Sequence, residues 1–160
     1  MSKVLVAYFS ASGVTANVAA ELAKAEGADL FEIKPETPYS AADLNYMDKQ
    51  SRSNLEMADE SCRPAISGKV DDMAQYDTVF IGFPIWWGRE PSIIDTFLDS
   101  YAFGGKKIIP FCTSGGSGVD KASAHIKGIV GDAAEVAAGK RLGAEAAEEE
   151  VKTWAKLLGL

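Results

Sequence analysis

The sequence predicts a three-layer α/β fold, a five-stranded parallel sheet with helices on both faces. Two observations carry this. Short runs rich in Val, Ile, Leu and Phe recur over 4–9, 30–33, 78–83 and 106–113, and the first and third have almost no polar position, as in strands buried on both faces. Segments with helical apolar spacing separate them, and parallel neighbours need such crossovers. The 160 residues, 47% hydrophobic and 24% charged, can bury one core without disulfides or a structural metal. One domain over 1–160 is expected.

The elements follow in order. The run 4–9 is the first, central strand. After a turn at 10–13, Val14, Val18 and Leu22 recur at four-residue intervals, giving a helix to about Glu26 with Gly27 as its stop. Residues 30–33 read as a second strand, ended by Pro35 and Pro38. The stretch 35–77 is irregular, with short helical pieces after Ser40 and over 54–60, and is long for a plain connection. Residues 78–83 form a third strand closed by Pro84. Pro91 opens a helix with Ile94, Phe97, Leu98 and Tyr101 on one face. The fourth strand, 106–113, carries Pro110 at a bulge or on a side free of hydrogen bonds. A helix with Val119, Ala122 and Ile126 follows, then a fifth, edge strand over 133–138. A last helix over 143–158 buries Ala147, Val151, Trp154 and Leu158.

Composition excludes several functions. With 16 Lys+Arg against 23 Asp+Glu the net charge is −7, unfavourable for nucleic acid and better suited to a basic protein partner. Cys62 and Cys112 fit no metal-ligand spacing, and a reducing, cytoplasmic setting is expected. No apolar run is long enough for a membrane span. A single histidine, His125, leaves little room for Ser-His-Asp, Cys-His or multi-histidine metal chemistry, so neither catalytic side chains nor a metal site are expected and a bound cofactor carries the reaction. His125 itself reads as a surface or packing residue, and Cys112 as a buried, inert thiol.

In parallel sheets, ligands collect beyond the carboxyl ends of the strands, which directs attention to three loops. The first, Ser10-Ala11-Ser12-Gly13-Val14-Thr15, puts hydroxyls and a glycine at a helix start, suited to an anion held by neutral donors; Ser12 as a simple helix cap is the alternative. It lacks the lysine of a nucleoside-triphosphate loop, the three glycines of a dinucleotide turn and any cysteine nucleophile. The second, 84–91, places Trp86 and Trp87 where a flat heterocycle can stack, or where both indoles can cover the domain. Arg89 beside them either meets an anionic ligand or is an exposed loop charge. The third, Thr113-Ser114-Gly115-Gly116-Ser117-Gly118, lets backbone run close to a planar ligand. Together they outline a pocket for a molecule with a phosphate at one end and a flat apolar ring at the other.

On these motifs, over nearly its whole length, the chain resembles the flavodoxin family, particularly short flavodoxin-like proteins with a Pro-Ile-Trp-Trp-Gly loop. The resemblance implies the strand order 2-1-3-4-5 and bound FMN. It makes Ser10, Ser12, Gly13 and Thr15 phosphate ligands, with the Ala11, Val14 and Ala16 amides and Asn17 nearby. It makes Pro84, Ile85, Trp86, Trp87 and Gly88 contacts of the isoalloxazine ring, and Thr113, Ser114, Gly115, Gly116, Ser117 and Gly118 the loop beside its polar edge. The implied role is electron transfer between protein partners, with NAD(P)H-dependent reduction of a quinone or other small acceptor as the alternative. The tyrosine with which many flavodoxins sandwich the ring in the third loop is missing here. For the alternative, Tyr39, Tyr46, Arg52 and Arg63 of the 35–77 stretch would shape a substrate pocket over the ring.

Overall fold

A computed structural model of the chain describes residues 3–11, 13–113, 118–142 and 148–158. In chain order the elements are β1 (Lys3–Tyr8), α1 (Val14–Glu26), β2 (Asp29–Glu32), β3 (Lys34–Pro35), α2 (Arg52–Ala58), β4 (Ile66–Ser67), β5 (Tyr76–Pro84), α3 (Ser92–Ser100), β6 (Lys107–Thr113), α4 (Asp120–Val130), β7 (Glu135–Val136), β8 (Lys140–Leu142) and α5 (Glu148–Leu158). The main sheet is parallel, in the order β2-β1-β5-β6-β7, with β8 also on β6. This is the expected 2-1-3-4-5 order with its fifth strand in two pieces.

Alternation along the central strands divides the core. Leu5, Ala7, Val79, Ile81, Phe83, Ile108 and Cys112 pack against Ile93, Ile94, Phe97 and Leu98 of α3 and Ala122 and Ile126 of α4. Val6, Tyr8, Phe80, Ile109 and Phe111 face the other way, onto Val18, Ala19 and Leu22 of α1 and Val151 and Trp154 of α5. Gly27 ends α1 in the left-handed region at φ 61°, and the Ala28 N–H closes back onto the Ala23 carbonyl at 2.8 Å. Residues 143–147 of the expected last helix, with Ala147, lie outside the described residues. None of the described helices is long and apolar enough to cross a membrane.

Two expectations need correction. The fifth strand was expected over 133–138, whereas pairing with β6 stops after Val136 and resumes at Lys140. Val136 and Lys140 are four residues apart while their partners Ile108 and Phe111 are three apart, so the edge takes one extra residue opposite Pro110, which has no N–H to donate. Gly139 fits this bulge because a Cβ there would lie 2.5 Å from the Pro110 carbonyl oxygen. Pro35, expected to end a strand, lies instead in an antiparallel ribbon in which Lys34 pairs with Ser67 and Pro35 with Ile66. A proline is tolerated on such an edge.

At the sheet centre Gly82 is paired with Phe111, whose ring occupies the space a side chain would take: a Cβ on Gly82 would lie 2.2 Å from Phe111 Cζ. Gly82→Ala is expected to lower stability by about 1–3 kcal/mol, read as a fall in the urea midpoint. An unchanged midpoint would show that the ring moves aside freely.

Candidate functional site

Parallel pairing of β1, β5 and β6 places the three loops that follow them side by side. Two contacts tie them together. Thr15 Oγ1, at the start of α1, is 2.7 Å from Thr113 Oγ1 at the end of β6, both side chains being buried. The Ile85 N–H donates to the Thr113 carbonyl at 3.3 Å.

In the first loop Gly13 is the N-cap of α1 at φ 93° and has no side chain to offer the helix. The N–H groups of Val14, Thr15 and Ala16 therefore open the helix without intrahelical partners, at its positive end, while the Asn17 N–H closes the first turn on the Gly13 carbonyl at 3.1 Å. Ser10 Oγ accepts from the Gly13 N–H at 3.0 Å, which leaves its own proton without an acceptor among the described residues. Ala11 is half-buried against the core and Asn17 is exposed. Ser12 lies outside the described residues.

The second loop leaves β5 at Pro84 and Ile85 and folds into a tight turn. Trp86 N–H donates to the Arg89 carbonyl at 3.0 Å and Arg89 N–H returns to the Trp86 carbonyl at 3.2 Å. Both central residues have positive φ, 52° at Trp87 and 81° at Gly88, as a type I′ turn demands. Glycine takes this region freely, whereas tryptophan does so at a cost of about 1–2 kcal/mol. The strain holds the Trp87 indole out at the loop tip, 48% exposed. Trp86 turns inward and meets Phe9 and Tyr39 edge-on at 5.6 and 5.5 Å. The two indoles have different environments, one packed and one presented. A cleft of about 380 Å³ lies beside them, lined by Leu44, Tyr46, Ser53, Ile85, Trp86 and Trp87.

Of the third loop, Thr113 is buried at the end of β6 and Gly118 is exposed just before α4; Ser114, Gly115, Gly116 and Ser117 lie outside the described residues.

The 35–77 stretch reaches the site in two ways. Leu44, Tyr46 and Ser53 form one wall of the cleft. Tyr39 braces Trp86, and its hydroxyl donates to Glu56 at 2.5 Å while the Arg52 guanidinium lies 3.9 Å above its ring and bonds Glu56 at 2.9 Å. Burial and the neighbouring Glu56 push the Tyr39 hydroxyl pKa up. Arg52 and Arg63 are thus held in internal ion pairs, Arg63 with Asp99 at 2.6 Å. Cys112 is buried, and burial pushes its thiol up to about 11, which keeps it unreactive at neutral pH.

Behind the turn lies a cluster of ionisable groups that sequence reasoning missed. Arg89 is neither an exposed charge nor an anion receptor: it is buried, with its guanidinium on Asp95 Oδ2 at 3.4 Å, the Glu90 carbonyl at 3.1 Å and the Met57 carbonyl at 3.5 Å. Glu90 and Asp95 are both fully buried. His125 reaches them from α4, with Nδ1 against Glu90 Oε2 and 3.7 Å from Asp95 Oδ1. Burial raises the Asp95 pKa, helped by its hydrogen bond to Glu90 and the Glu90 charge and opposed by His125 and Arg89, to about 8. Burial also raises Glu90, against its hydrogen bond to Asp95 and the Arg89 charge. The signal in the sequence was a charged residue among Ile93, Ile94, Phe97 and Leu98, where a core-facing helix should be apolar.

A family description for flavodoxin matches residues 3–158. The structure is similar to that of a candidate flavoprotein from Bacteroides uniformis, with 45% identity, 97% of this chain and 98% of that chain covered, and a TM-score of 0.93. It is also similar to a Lactobacillus acidophilus flavoprotein solved in complex with FMN, at 24% identity and a TM-score of 0.74 over 97% of this chain and 99% of that one. Among curated proteins, a Nitrobacter winogradskyi NAD(P)H dehydrogenase (quinone) is 33% identical over 104 residues, which is 62% of this chain and 46% of that protein. The chain thus matches less than half the length of this curated relative.

Because the folded state binds the carboxyl proton more tightly than the unfolded chain does, Asp95 makes stability fall as pH rises from about 4 toward about 8. The slope is at most about 1.4 kcal/mol per pH unit. Thermal melts across this range should show the wild type losing stability relative to Asp95→Asn as pH increases. A constant difference would contradict the raised carboxyl.

Proposed function

Since the chain belongs to the flavodoxin family, we propose that it is an FMN-binding redox protein that passes electrons between protein partners, in a reducing, cytoplasmic setting. The observation that carries this reading is the meeting of the loops after β1, β5 and β6, tied by the Thr15–Thr113 hydrogen bond beside an uncapped helix start. The donors suit a phosphate monoester: free N–H groups at a positive helix end, the Ser10 proton, and the one proton that the Thr15–Thr113 pair has to spare. Ser12, the Ala11 amide and Asn17 complete the set. Glycine at residue 13 leaves open the space a Cβ would occupy.

When bound, FMN supplies a ring that accepts and returns electrons. The chain's residues hold and shield it. Trp87 stacks on the ring, Trp86 fixes the loop from below through Phe9 and Tyr39, and Pro84 and Ile85 form an apolar wall. Gly88 lets backbone approach the ring edge, and Thr113, Ser114, Gly115, Gly116, Ser117 and Gly118 meet its polar side. No side chain needs to act as acid or base on a substrate. Tyr46, which lines the cleft beside the tryptophans, and Met47 and Leu55 of the same 35–77 stretch are exposed apolar residues that suit a docking partner, while the net charge of −7 favours a basic one.

The cleft between the 35–77 stretch and the tryptophans favours a second reading, an FMN-dependent enzyme taking electrons from NAD(P)H and passing them to a quinone or other small flat acceptor. The name of the Nitrobacter winogradskyi relative supports this reading.

Purified protein supplied with FMN is expected to turn yellow and bind it stoichiometrically; failure to bind overturns both readings. Trp87→Ala should weaken FMN binding by about 1–2 kcal/mol, whereas Trp86→Ala should chiefly lower the melting temperature. Equal, negligible effects on FMN affinity would refute stacking. Rapid bleaching by NADH or NADPH followed by turnover with a quinone would decide for the enzyme over the carrier.

A further inference from the structure

The turn that bears Trp87 is anchored from behind by ionisable groups that flavin binding does not use. Glu90, from the loop, and Asp95, from α3, are each 0% exposed and meet at His125, with one carboxylate oxygen of each and a ring nitrogen of His125 within 4.8 Å of one another. Their outer oxygens have partners, His125 Nδ1 on Glu90 Oε2 and Arg89 on Asp95 Oδ2. Their remaining oxygens, Glu90 Oε1 and Asp95 Oδ1, are buried with no hydrogen-bond donor among the described residues. Other charges near the pair are Arg63, 4.0 Å from Asp95 and held by Asp99, and Glu60, whose exposed carboxylate is 3.9 Å from His125 Nε2.

Two ionised carboxylates cannot keep unpartnered oxygens together in a water-free site, and one proton between them satisfies both. A cation is a poorer fit. One donor atom from each of Glu90, Asp95 and His125 lies within 4.8 Å of the others, but His125 Nδ1 is turned onto Glu90 and the Arg89 guanidinium already balances Asp95. His125 is partly exposed, so one edge of the cluster touches water while the carboxyls do not.

We propose that Glu90 and Asp95 share one proton, exchanged with solvent through His125, and that the pair binds it more tightly when the ring held on the Trp86–Arg89 turn is reduced. The second half rests on the reading of the site as an FMN pocket. Glu90 directly follows Arg89, the residue that closes the turn, so charge gained by the ring acts on the pair through protein rather than water. Two electrons from a partner protein or a pyridine nucleotide, with one proton to the ring, leave the ring negative. Above about pH 8, where the oxidised protein has released the shared proton, the pair takes that one proton back from solvent through His125, a carboxylate becoming a carboxylic acid with no other bond changed, and reoxidation returns it. Glu90 and Asp95 act on the ring through their charge and are not catalytic residues.

Infrared spectra of FMN-free protein read the pair without the flavin. The carbonyl stretch of one protonated carboxyl group is expected at neutral pH, lost as pH rises through about 8, and missing in Asp95→Asn. No such band in the wild type, or one unchanged in both Asp95→Asn and Glu90→Gln, overturns the shared proton whether or not FMN binds. Stoichiometric uptake of zinc that both variants abolish would assign the gap to a cation and also overturn it. In FMN-loaded protein, above about pH 8, the wild-type midpoint potential should fall with pH more steeply than that of either variant. The added slope reaches a factor of about ten in the reduction equilibrium per pH unit, about 30 mV for a two-electron couple. Equal slopes with the infrared band present overturn the coupling and leave the FMN reading standing. Failure to take up FMN overturns that reading and the coupling with it, and the infrared result still decides the shared proton.

Discussion

Parallel pairing of β1, β5 and β6 is the constraint on which the rest depends. The chain leaves each of these strands through a helix, and so three loops are delivered to one end of the sheet. Strands in this position are covered on both faces, which leaves only their ends for polar chemistry. The hydroxyl pair Thr15–Thr113 sits at that boundary, buried like the core yet polar like the site. It joins the loop suited to an anion to the loop suited to a ring edge.

The same geometry explains why the tryptophan turn is held by buried charge. A turn with Trp87 at φ 52° stores strain, and strained turns persist only where their surroundings hold them. Arg89 supplies part of that hold from below, bonded to Asp95 of α3 and the Met57 carbonyl of α2, while Trp86 and Tyr39 supply another part through aromatic contact. The 35–77 stretch is therefore more than a connection: it braces the loop and walls the adjoining cleft. Placing ions in the core is costly, and the cost appears as the raised Asp95 and Glu90.

Much of this was legible in the sequence where one physical rule dominated. Apolar runs such as that over 4–9 gave the strands, and Gly27 and Pro91 marked helix ends because few other residues suit those positions. The fifth strand was misjudged because its break is imposed by Pro110 on the neighbouring strand, a tertiary effect absent from its own residues. The tryptophans were recognised as a pair, but only packing against Phe9 and Tyr39 separates the anchored Trp86 from the presented Trp87. Arg89 looked like a loop charge because the one hint, Asp95 among the apolar residues of α3, does not say that the carboxylate turns back toward Arg89. His125 looked ordinary because its partners come from a different loop and helix.

The central claim is that neutral donors at the start of α1 hold the phosphate of a bound flavin. Calorimetric titration of the FMN-free protein with FMN and with riboflavin, which lacks the phosphate, tests it most directly. FMN should bind at least about tenfold more tightly, equivalent to about 1.4 kcal/mol. That preference should fall only weakly with added salt, because no lysine or arginine stands in the loop. Equal affinities for FMN and riboflavin would contradict the phosphate site and with it the assignment of the three loops.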